Sequence, residues 1–411
     1  MNSHTNTSPF ITQVVERYSC KHRTYCRTMP LSELLARLVH LKMVALGVVP
    51  YEFYPATLSL QFSRSLLVYC FIIAIISPLG RCCVFLTTFF TMKLGISVVR
   101  YTAMFRELLD AILLVVPPCY LLCQHAKVKQ LFELSVEVYR SSLSLGIFPF
   151  WQWFRTCLLC SLVYDSVYGV NVAFNLVLPS AGIHAKYVQI LLWSVLSQLT
   201  KSVVLLIIYG SAQYLLRMVD HLKDHLEAGR LSTNPVYQEQ IRQQHHGPAG
   251  YLMFYEQLAK VCETLNDLIG VPLITYFLMA LIHLTFVCYL ILTKLLVRWS
   301  YITWQAILIA GIAIASYVID LLCLMRIVGT FARTREESLK TQKLLLRLNL
   351  SPMDHKLKQS IEVFALQTLH QPIEFTACRM FTLDYTVLFS IAAAVTNYLI
   401  ILIQFEMAIE Q

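Results

Sequence analysis

Residues 381–411 read FTLDYTVLFSIAAAVTNYLIILIQFEMAIEQ, and this stretch decides the fold class. The segment from Tyr385 to Phe405 contains no charged side chain. Its length matches the roughly 20 residues that a helix needs to cross the hydrocarbon core of a bilayer. We therefore predict a transmembrane helix here. Because six residues follow Phe405, we expect this helix to be either an anchor or an element whose own movement is the output.

One face of this predicted helix is small or polar. Its members follow one another at steps of four and three residues, which places them on one side of a helix. They are Ser390, Ala394, Asn397, Ile401 and Gln404. An unpaired amide is costly in lipid, so we expect the face to contact protein or water. The spacing leaves open a packing face between helices and the lining of a pore, and by itself it favours packing.

The composition of the whole chain indicates a membrane protein. Of its 411 residues, 57% are hydrophobic and 14% are charged, whereas soluble domains have about 25% charged residues. The thirteen cysteines are scattered and predict no disulfide framework. We find no motif for a metal, a cofactor, a hydrolase or a phosphate-binding enzyme, so the sequence predicts neither enzyme activity nor a cofactor.

Further apolar segments complete an all-α integral membrane bundle of seven transmembrane helices. With 385–405 as the seventh, the other predicted spans are residues 65–90, 101–123, 154–178, 187–216, 268–296 and 301–328. We expect Pro78 and Gly80 to kink the first span or end it early, and Pro117 and Pro118 to bend the second. The stretch 217–263 is mostly polar and predicts a loop.

We interpret residues 1–411 as one seven-transmembrane domain. Its parts are an N-terminal cytoplasmic segment (1–64), spans one to six (65–328), a cytoplasmic loop and helix (329–380) and the seventh span (381–405).

The distribution of basic residues predicts the orientation in the membrane. Of the 33 Lys and Arg residues, 25 lie in segments on one side of the seven spans and 6 on the other. The positive-inside rule then places the N-terminus in the cytoplasm and the C-terminus outside the cell. This location also explains the net charge of +9, so we expect no nucleic-acid partner.

The residues from Tyr398 to Phe405 resemble the C-terminal signature of the insect gustatory receptor family, which has a Thr-Tyr pair, five mostly apolar residues and Gln-Phe. Residues 375–378 and 381–384, read FTAC and FTLD, resemble the segment that precedes this signature. The residues of this sequence that match most directly are Tyr398, Gln404, Phe405 and Asp384.

Several positions depart from the family pattern. Asn397 stands where Thr is usual, and Arg379 and Met380 stand where the family tends to have Gly and an apolar residue. Leu399 follows the signature Tyr, whereas sugar-sensing members tend to have Glu there. This departure favours a bitter or other non-sugar ligand.

The resemblance implies a ligand-gated, non-selective cation channel that assembles as a tetramer, either of one subunit or with other gustatory subunits. It implies that the seventh helix lines the pore, with Gln404 and Phe405 near an outer gate and Ile401 narrowing the same face. A helix predicted over Pro352 to His370 would join the inner loops in contacts between subunits. The expected setting is the plasma membrane of chemosensory neurons, and the expected partners are a tastant and membrane lipid.

Aromatic and polar residues in the outer halves of the spans suit a small amphipathic ligand. The candidates are Tyr168, Asn171, Trp193, Gln198, Trp304 and Gln305. The two tryptophans are also typical of an interfacial belt. In the second span, Arg106 could pair with Asp110 one turn away.

Two other functions stay open. One is an odorant-receptor-type subunit that needs a co-receptor. The other is a metabotropic seven-span receptor, which requires the opposite orientation. A transporter is disfavoured because no internal repeat is visible.

Overall fold

The computed structural model describes residues 37, 39–54, 59–91, 98–144, 159–166, 169, 184–231, 248–292, 304–346, 359 and 373–410. This part of the chain is mainly helical. Its helices are α1 (Arg64–Thr91), α2 (Val98–Cys123), α3 (His125–Ser144), α4 (His184–Leu231), α5 (Pro248–Leu290), α6 (Trp304–Leu346) and α7 (Tyr385–Glu410). Two antiparallel hairpins are added: β1 (Tyr51–Tyr54) with β2 (Ser59–Phe62), and β3 (Thr376–Ala377) with β4 (Phe381–Thr382).

The predicted all-α membrane fold is confirmed, and helices occupy six of the seven predicted spans. Within the described residues, four helical segments are long and apolar enough to cross a membrane: Arg64–Cys83, Val195–Glu227, Gly250–Tyr289 and Tyr385–Phe405. Of the predicted third span, residues 159–166 are helical, and most of the rest lies outside the described residues. The helix predicted over Pro352 to His370 lies outside them too, apart from residue 359.

The first helix does not end early, because α1 continues through Pro78 to Thr91. A proline is tolerated inside a membrane helix when neighbouring helices satisfy the disturbed polar groups. Here α4 lies against this turn, and Ser197 Oγ lies 3.2 Å from Ser77 Oγ. The second helix likewise continues through its two prolines. The sharp change of direction, 67°, comes after it, between α2 and α3.

Three helices extend well beyond the predicted inner ends of their spans, which corrects the polar loop predicted over 217–263. Helix α4 continues to Leu231, α5 begins at Pro248, and α6 continues to Leu346. At 1.5 Å per residue, these extensions are about 20–30 Å long. Polar residues in them bond to neighbouring helices: Lys223 Nζ of α4 donates to Glu337 Oε2 of α6 (2.6 Å). Such pairing lets a helix continue where hydropathy falls.

Helix α4 occupies the centre of the described bundle. It packs against α6, α1 and α5, and its side chains from Val203 to Leu222 contribute many of the fully buried positions. Helix α7 lies at the edge, where it contacts α5 and α6. The subunit therefore has one well-packed core and one helix that is largely outside it.

Candidate functional site

A buried ion pair joins the two central helices, α4 and α6. Lys201 Nζ donates to Asp320 Oδ2 at 2.5 Å, and Tyr164 Oη donates to the other carboxylate oxygen at 2.6 Å. Lys201 and Asp320 are 5% and 7% exposed. Because both carboxylate oxygens are occupied and the charges cancel, the arrangement satisfies the rule that buried charges must be paired.

Two more carboxylates inside the bundle have partners. His283 Nε2 lies 2.7 Å from both oxygens of Asp110, and Arg81 lies 3.8 Å from the same group. Asp165 pairs with Lys42 and accepts a hydrogen bond of 2.8 Å from Ser202 Oγ. Helices distant in sequence are thereby joined by charged contacts where each carboxylate faces a cation or an imidazole.

A cavity of about 30 Å³ lies beside the Lys201–Asp320 pair. Its described lining is Lys201, Leu205, Tyr276, Ala280, His283, Leu284, Tyr317, Asp320, Leu321 and Leu324. The volume suffices for one or two water molecules. It is far smaller than the several hundred cubic ångströms of an ordinary ligand pocket. A ligand could enter only if side chains move.

Two of the six predicted ligand residues, Trp193 and Gln198, have described side chains, and both lie on α4. Trp193 of α4 packs against α1, where a Cβ atom added at Gly80 would lie 2.6 Å from the indole ring. The Oε1 atom of Gln198 is buried without a hydrogen-bond partner among the described residues. Tyr168 and Asn171 lie outside the described residues, and so do the side chains of Trp304 and Gln305. The ligand contacts stay predictions.

The polar face of α7 points away from the rest of the subunit. Ser390, Asn397 and Gln404 are exposed, and Ile401 is 45% exposed. Ala394 is half-buried at the edge of the face. The opposite side of the helix packs on the core through Leu388, Ile391 and Val395, of which Val395 is 6% exposed. Phe405, at the predicted gate, is 58% exposed.

Asp384 begins α7 as its N-cap. Its Oδ1 atom accepts hydrogen bonds from the backbone N–H of Thr386 at 2.9 Å and from the hydroxyl of that residue at 2.5 Å. These bonds satisfy a backbone donor at the helix start. They also favour the ionised carboxylate and hold the pKa of Asp384 below its usual value. This gives the Asp of the resembled segment a physical role.

The segment before α7, residues 373–384, forms what we term the hairpin junction. Its apolar side chains are buried against α5 and α6: Ile373, Phe375, Ala377 and Leu383 are each at most 3% exposed. The ring of Phe375 lies 4.3 Å from that of Phe331 in α6. Arg335 of α6 also pairs with Glu374 at 2.6 Å. The junction therefore attaches the start of α7 to the core.

Helix α5 holds the hairpin junction through one amide and one glycine. Asn266 Nδ2 donates to the Glu374 carbonyl at 2.6 Å, and its Oδ1 accepts the Thr376 N–H at 3.2 Å. One turn on, a Cβ atom at Gly270 would lie 2.7 Å from the Cys378 nitrogen. Only glycine allows this close approach of the hairpin backbone to the helix.

The turn of the hairpin junction gives a physical reason for the glycine that the family tends to have at position 379, where this chain has Arg. Cys378 and Arg379 have φ values of 50° and 59°, in the left-handed region that favours glycine. Met380 N–H donates to the Ala377 carbonyl at 2.9 Å and closes the turn. A glycine at position 379, as the family tends to have, would adopt this conformation without strain.

The sequence suggested Arg106 as a partner of Asp110, and it did not predict the pairs Lys201–Asp320 and Lys42–Asp165. It missed His283, Asn266 and Gly270. Asn266 lies between the polar stretch predicted over 217–263 and the fifth span predicted from residue 268, so the sequence assigns it to neither. The available signal was Pro248, which suits the first position of a helix and marks where α5 begins.

Comparisons with known proteins agree with this architecture. The family model described as 7tm Chemosensory receptor matches residues 36–409. "Gustatory receptor for bitter taste 66a" of Drosophila melanogaster is 34% identical over 79 residues, which are 19% of this chain and 15% of that protein. "Gustatory receptor for sugar taste 43a" of the same organism is 26% identical over 158 residues, which are 37% of this chain and 34% of that protein.

A solved structure resembles nearly the whole chain. The insect olfactory receptor OR5 from Machilis hrabei, which has also been solved in complex with eugenol, aligns with a TM-score of 0.67. The alignment covers 92% of this chain and 99% of that one at 11% identity, which shows the fold alone. The resemblance inferred from the signature residues is thereby confirmed at the level of the family.

Proposed function

We propose that this chain, which belongs to the 7tm chemosensory receptor family, is a subunit of a ligand-gated, non-selective cation channel that opens when a tastant binds. The family is one of receptors rather than of enzymes, in agreement with the lack of enzymatic motifs in the sequence. The proposed assembly is a tetramer around α7, in the plasma membrane of chemosensory neurons.

The observation that carries the proposal is the exposure of α7. In the most apolar stretch of its membrane-spanning segment, 6% of the residues are buried within the subunit, whereas 72% are buried in the corresponding stretch of α4. Lipid suits the apolar part of this surface but not Asn397 and Gln404, because an unpaired amide in hydrocarbon is costly. Copies of α7 around a central axis give these amides water or each other as partners.

The proposed route from ligand to pore runs through the hairpin junction. A ligand that separates α4, α5 and α6 near the small cavity moves the two helices to which the hairpin junction is attached. Within the junction the Leu383 N–H donates to the Phe375 carbonyl at 2.8 Å, and the Asp384 cap connects the junction to α7. Movement of the core then changes the tilt of α7, and with it the width at Ile401 and Phe405.

The proposed ligand is a bitter or other non-sugar compound. One of the two relatives is named for bitter taste and the other for sugar taste. The preference for a non-sugar ligand therefore rests on Leu399, where sugar-sensing members tend to have Glu. Whole-cell currents recorded with a panel of bitter compounds and sugars test this choice. Expression alone and with other gustatory subunits distinguishes a homomeric channel from one that needs a co-receptor.

The proposed pore is tested by Gln404→Ala and Phe405→Ala. We expect either change to alter relative cation permeability or gating while surface expression persists. Phe389→Ala is the matched control, because this exposed phenylalanine belongs neither to the polar face nor to the core side of α7 and lies nearer its start. Unchanged currents in both gate variants contradict the proposed pore.

The orientation, with the N-terminus in the cytoplasm and the C-terminus outside, is part of the proposal. An epitope placed after Gln411 should be labelled on intact cells. Labelling that requires permeabilised cells would reverse the orientation and favour a metabotropic receptor.

A further inference from the structure

We propose that Arg217, Arg326 and Arg333 form a binding site for an anionic phospholipid of the inner leaflet. The three side chains lie on the neighbouring helices α4 and α6, and all three are exposed. The leaflet assignment rests on the orientation proposed above, and the site itself rests on the contacts that follow.

Contacts between α4 and α6 place Arg217 and Arg333 at similar levels. The helices run parallel in register, as the successive pairs Lys201–Asp320, Gln213–Thr330 and Lys223–Glu337 show. Arg217 lies one turn beyond the second pair on α4, and Arg333 lies almost one turn beyond it on α6. Arg326 precedes Arg333 by two turns, about 10 Å along the helix.

The charges of this group are incompletely balanced by the protein. Within the described residues none of the three arginines makes an ion pair, whereas Lys223 pairs with Glu337 at 2.6 Å. The half-buried Asp220 is close enough to interact electrostatically with both Arg217 and Arg333. Because one carboxylate faces three guanidinium groups, two positive charges remain unbalanced, and an anion can bind to them.

The depth of the group matches that of a lipid headgroup. The fourth span is predicted to reach its inner end at residue 216, and Arg217 follows directly. The sixth span is predicted to reach its inner end at residue 328, two residues after Arg326. Guanidinium groups bind phosphate in a bidentate manner. Basic clusters at this depth attract the phosphatidylserine and phosphoinositides of the cytoplasmic leaflet.

An exposed apolar surface on α6 can bind the acyl chains of the same lipid. Val318, Leu322 and Met325 are 48%, 51% and 44% exposed and precede Arg326 on the membrane side. Leu322 lies one turn from Arg326, so an acyl chain can run along it while the phosphate reaches the arginines. This continuity favours a phospholipid over a soluble phosphate compound.

The test uses the full-length protein in lipid nanodiscs. We expect the apparent melting temperature to rise by about 2–4 °C when phosphatidylinositol 4,5-bisphosphate is added to phosphatidylcholine. The triple variant Arg217→Gln, Arg326→Gln, Arg333→Gln should lose this rise. The matched control Arg64→Gln, Arg140→Gln, Lys343→Gln removes the same charge at exposed positions elsewhere and should keep it.

Native mass spectrometry gives a second measurement, in which one anionic lipid per subunit should survive on the original protein and the control but not on the triple variant. Equal losses in both variants would show general charge attraction and overturn the site. A triple variant that keeps the rise and the bound lipid would overturn it as well. The same rise with soluble inositol hexakisphosphate would overturn the role of the apolar surface.

Discussion

Helices α4 and α7 each contain a segment apolar enough to span a membrane, yet that of α4 is mostly buried within the subunit and that of α7 is mostly exposed. In the most apolar stretch of each segment, 72% of the residues of α4 and 6% of those of α7 are buried within the subunit. The polar side chains explain the difference: Lys201 of α4 has its partner Asp320 inside the same chain, whereas Asn397 and Gln404 face outward. Hydropathy identifies a span, and the location of the polar partners indicates whether a helix serves the fold or the assembly.

The largest expected effect comes from breaking the pair inside the core. Lys201→Met leaves the Asp320 carboxylate buried without its cation, and removal of one partner of a buried pair costs about 3–5 kcal/mol. We expect little folded protein, measured as the monodisperse fraction after detergent extraction. The double variant Lys201→Met, Asp320→Leu removes both charges and should recover most of it. A double variant no better than the single one would contradict the pairing as the cause.

The next effect concerns the attachment of α7 to the core. Gly270→Ala places a methyl group 2.7 Å from the Cys378 nitrogen, so the hairpin junction must shift. We expect a destabilisation of about 1–3 kcal/mol, as in overpacked cores, and a weaker agonist response per channel at the surface. Gly311→Ala is the control, because a Cβ atom there meets nothing within 4 Å. Equal behaviour of the two variants would contradict the close contact.

Two asparagines sharpen the comparison between core and edge. Asn266→Ala removes both hydrogen bonds to the hairpin junction, which should lower the free energy of unfolding of the subunit by about 1–3 kcal/mol. Asn397→Ala removes an exposed amide that makes no hydrogen bond to the described residues of the subunit, so it should change single-channel conductance and leave the amount of folded protein unchanged. The reverse pattern would show that α7 is part of the core.

The smallest effect is a gain in stability. Arg379→Gly relieves the left-handed strain at φ 59°, which costs roughly 1–2 kcal/mol, and part of this gain is offset by the greater freedom of glycine in the unfolded chain. Urea or thermal unfolding should therefore show a gain below about 1 kcal/mol. Arg379→Ala, which keeps a Cβ atom, should show none, and an equal gain would contradict the left-handed conformation as its cause.

The sequence predicted the spans because their apolar runs are long, and it predicted the polar face of α7 because that face follows from helical spacing alone. It could not predict that Lys201 meets Asp320 or that His283 meets Asp110, because residues more than a hundred positions apart are brought together only by packing. The extensions of α4, α5 and α6 beyond their predicted spans were missed for a related reason. Their polar residues read as solvent-exposed until their partners on adjacent helices are known.

The most direct test of the account is the accessibility of α7 to water in the assembled channel. Asn397→Cys and Gln404→Cys should react with a small, charged methanethiosulfonate reagent during agonist application and change the current, while Leu388→Cys and Val395→Cys on the core side should not. The parent channel, with its native cysteines, must first be shown to be insensitive to the reagent. If the polar-face cysteines do not react, or if both sets react alike, α7 does not line a pore and its polar face is a packing surface.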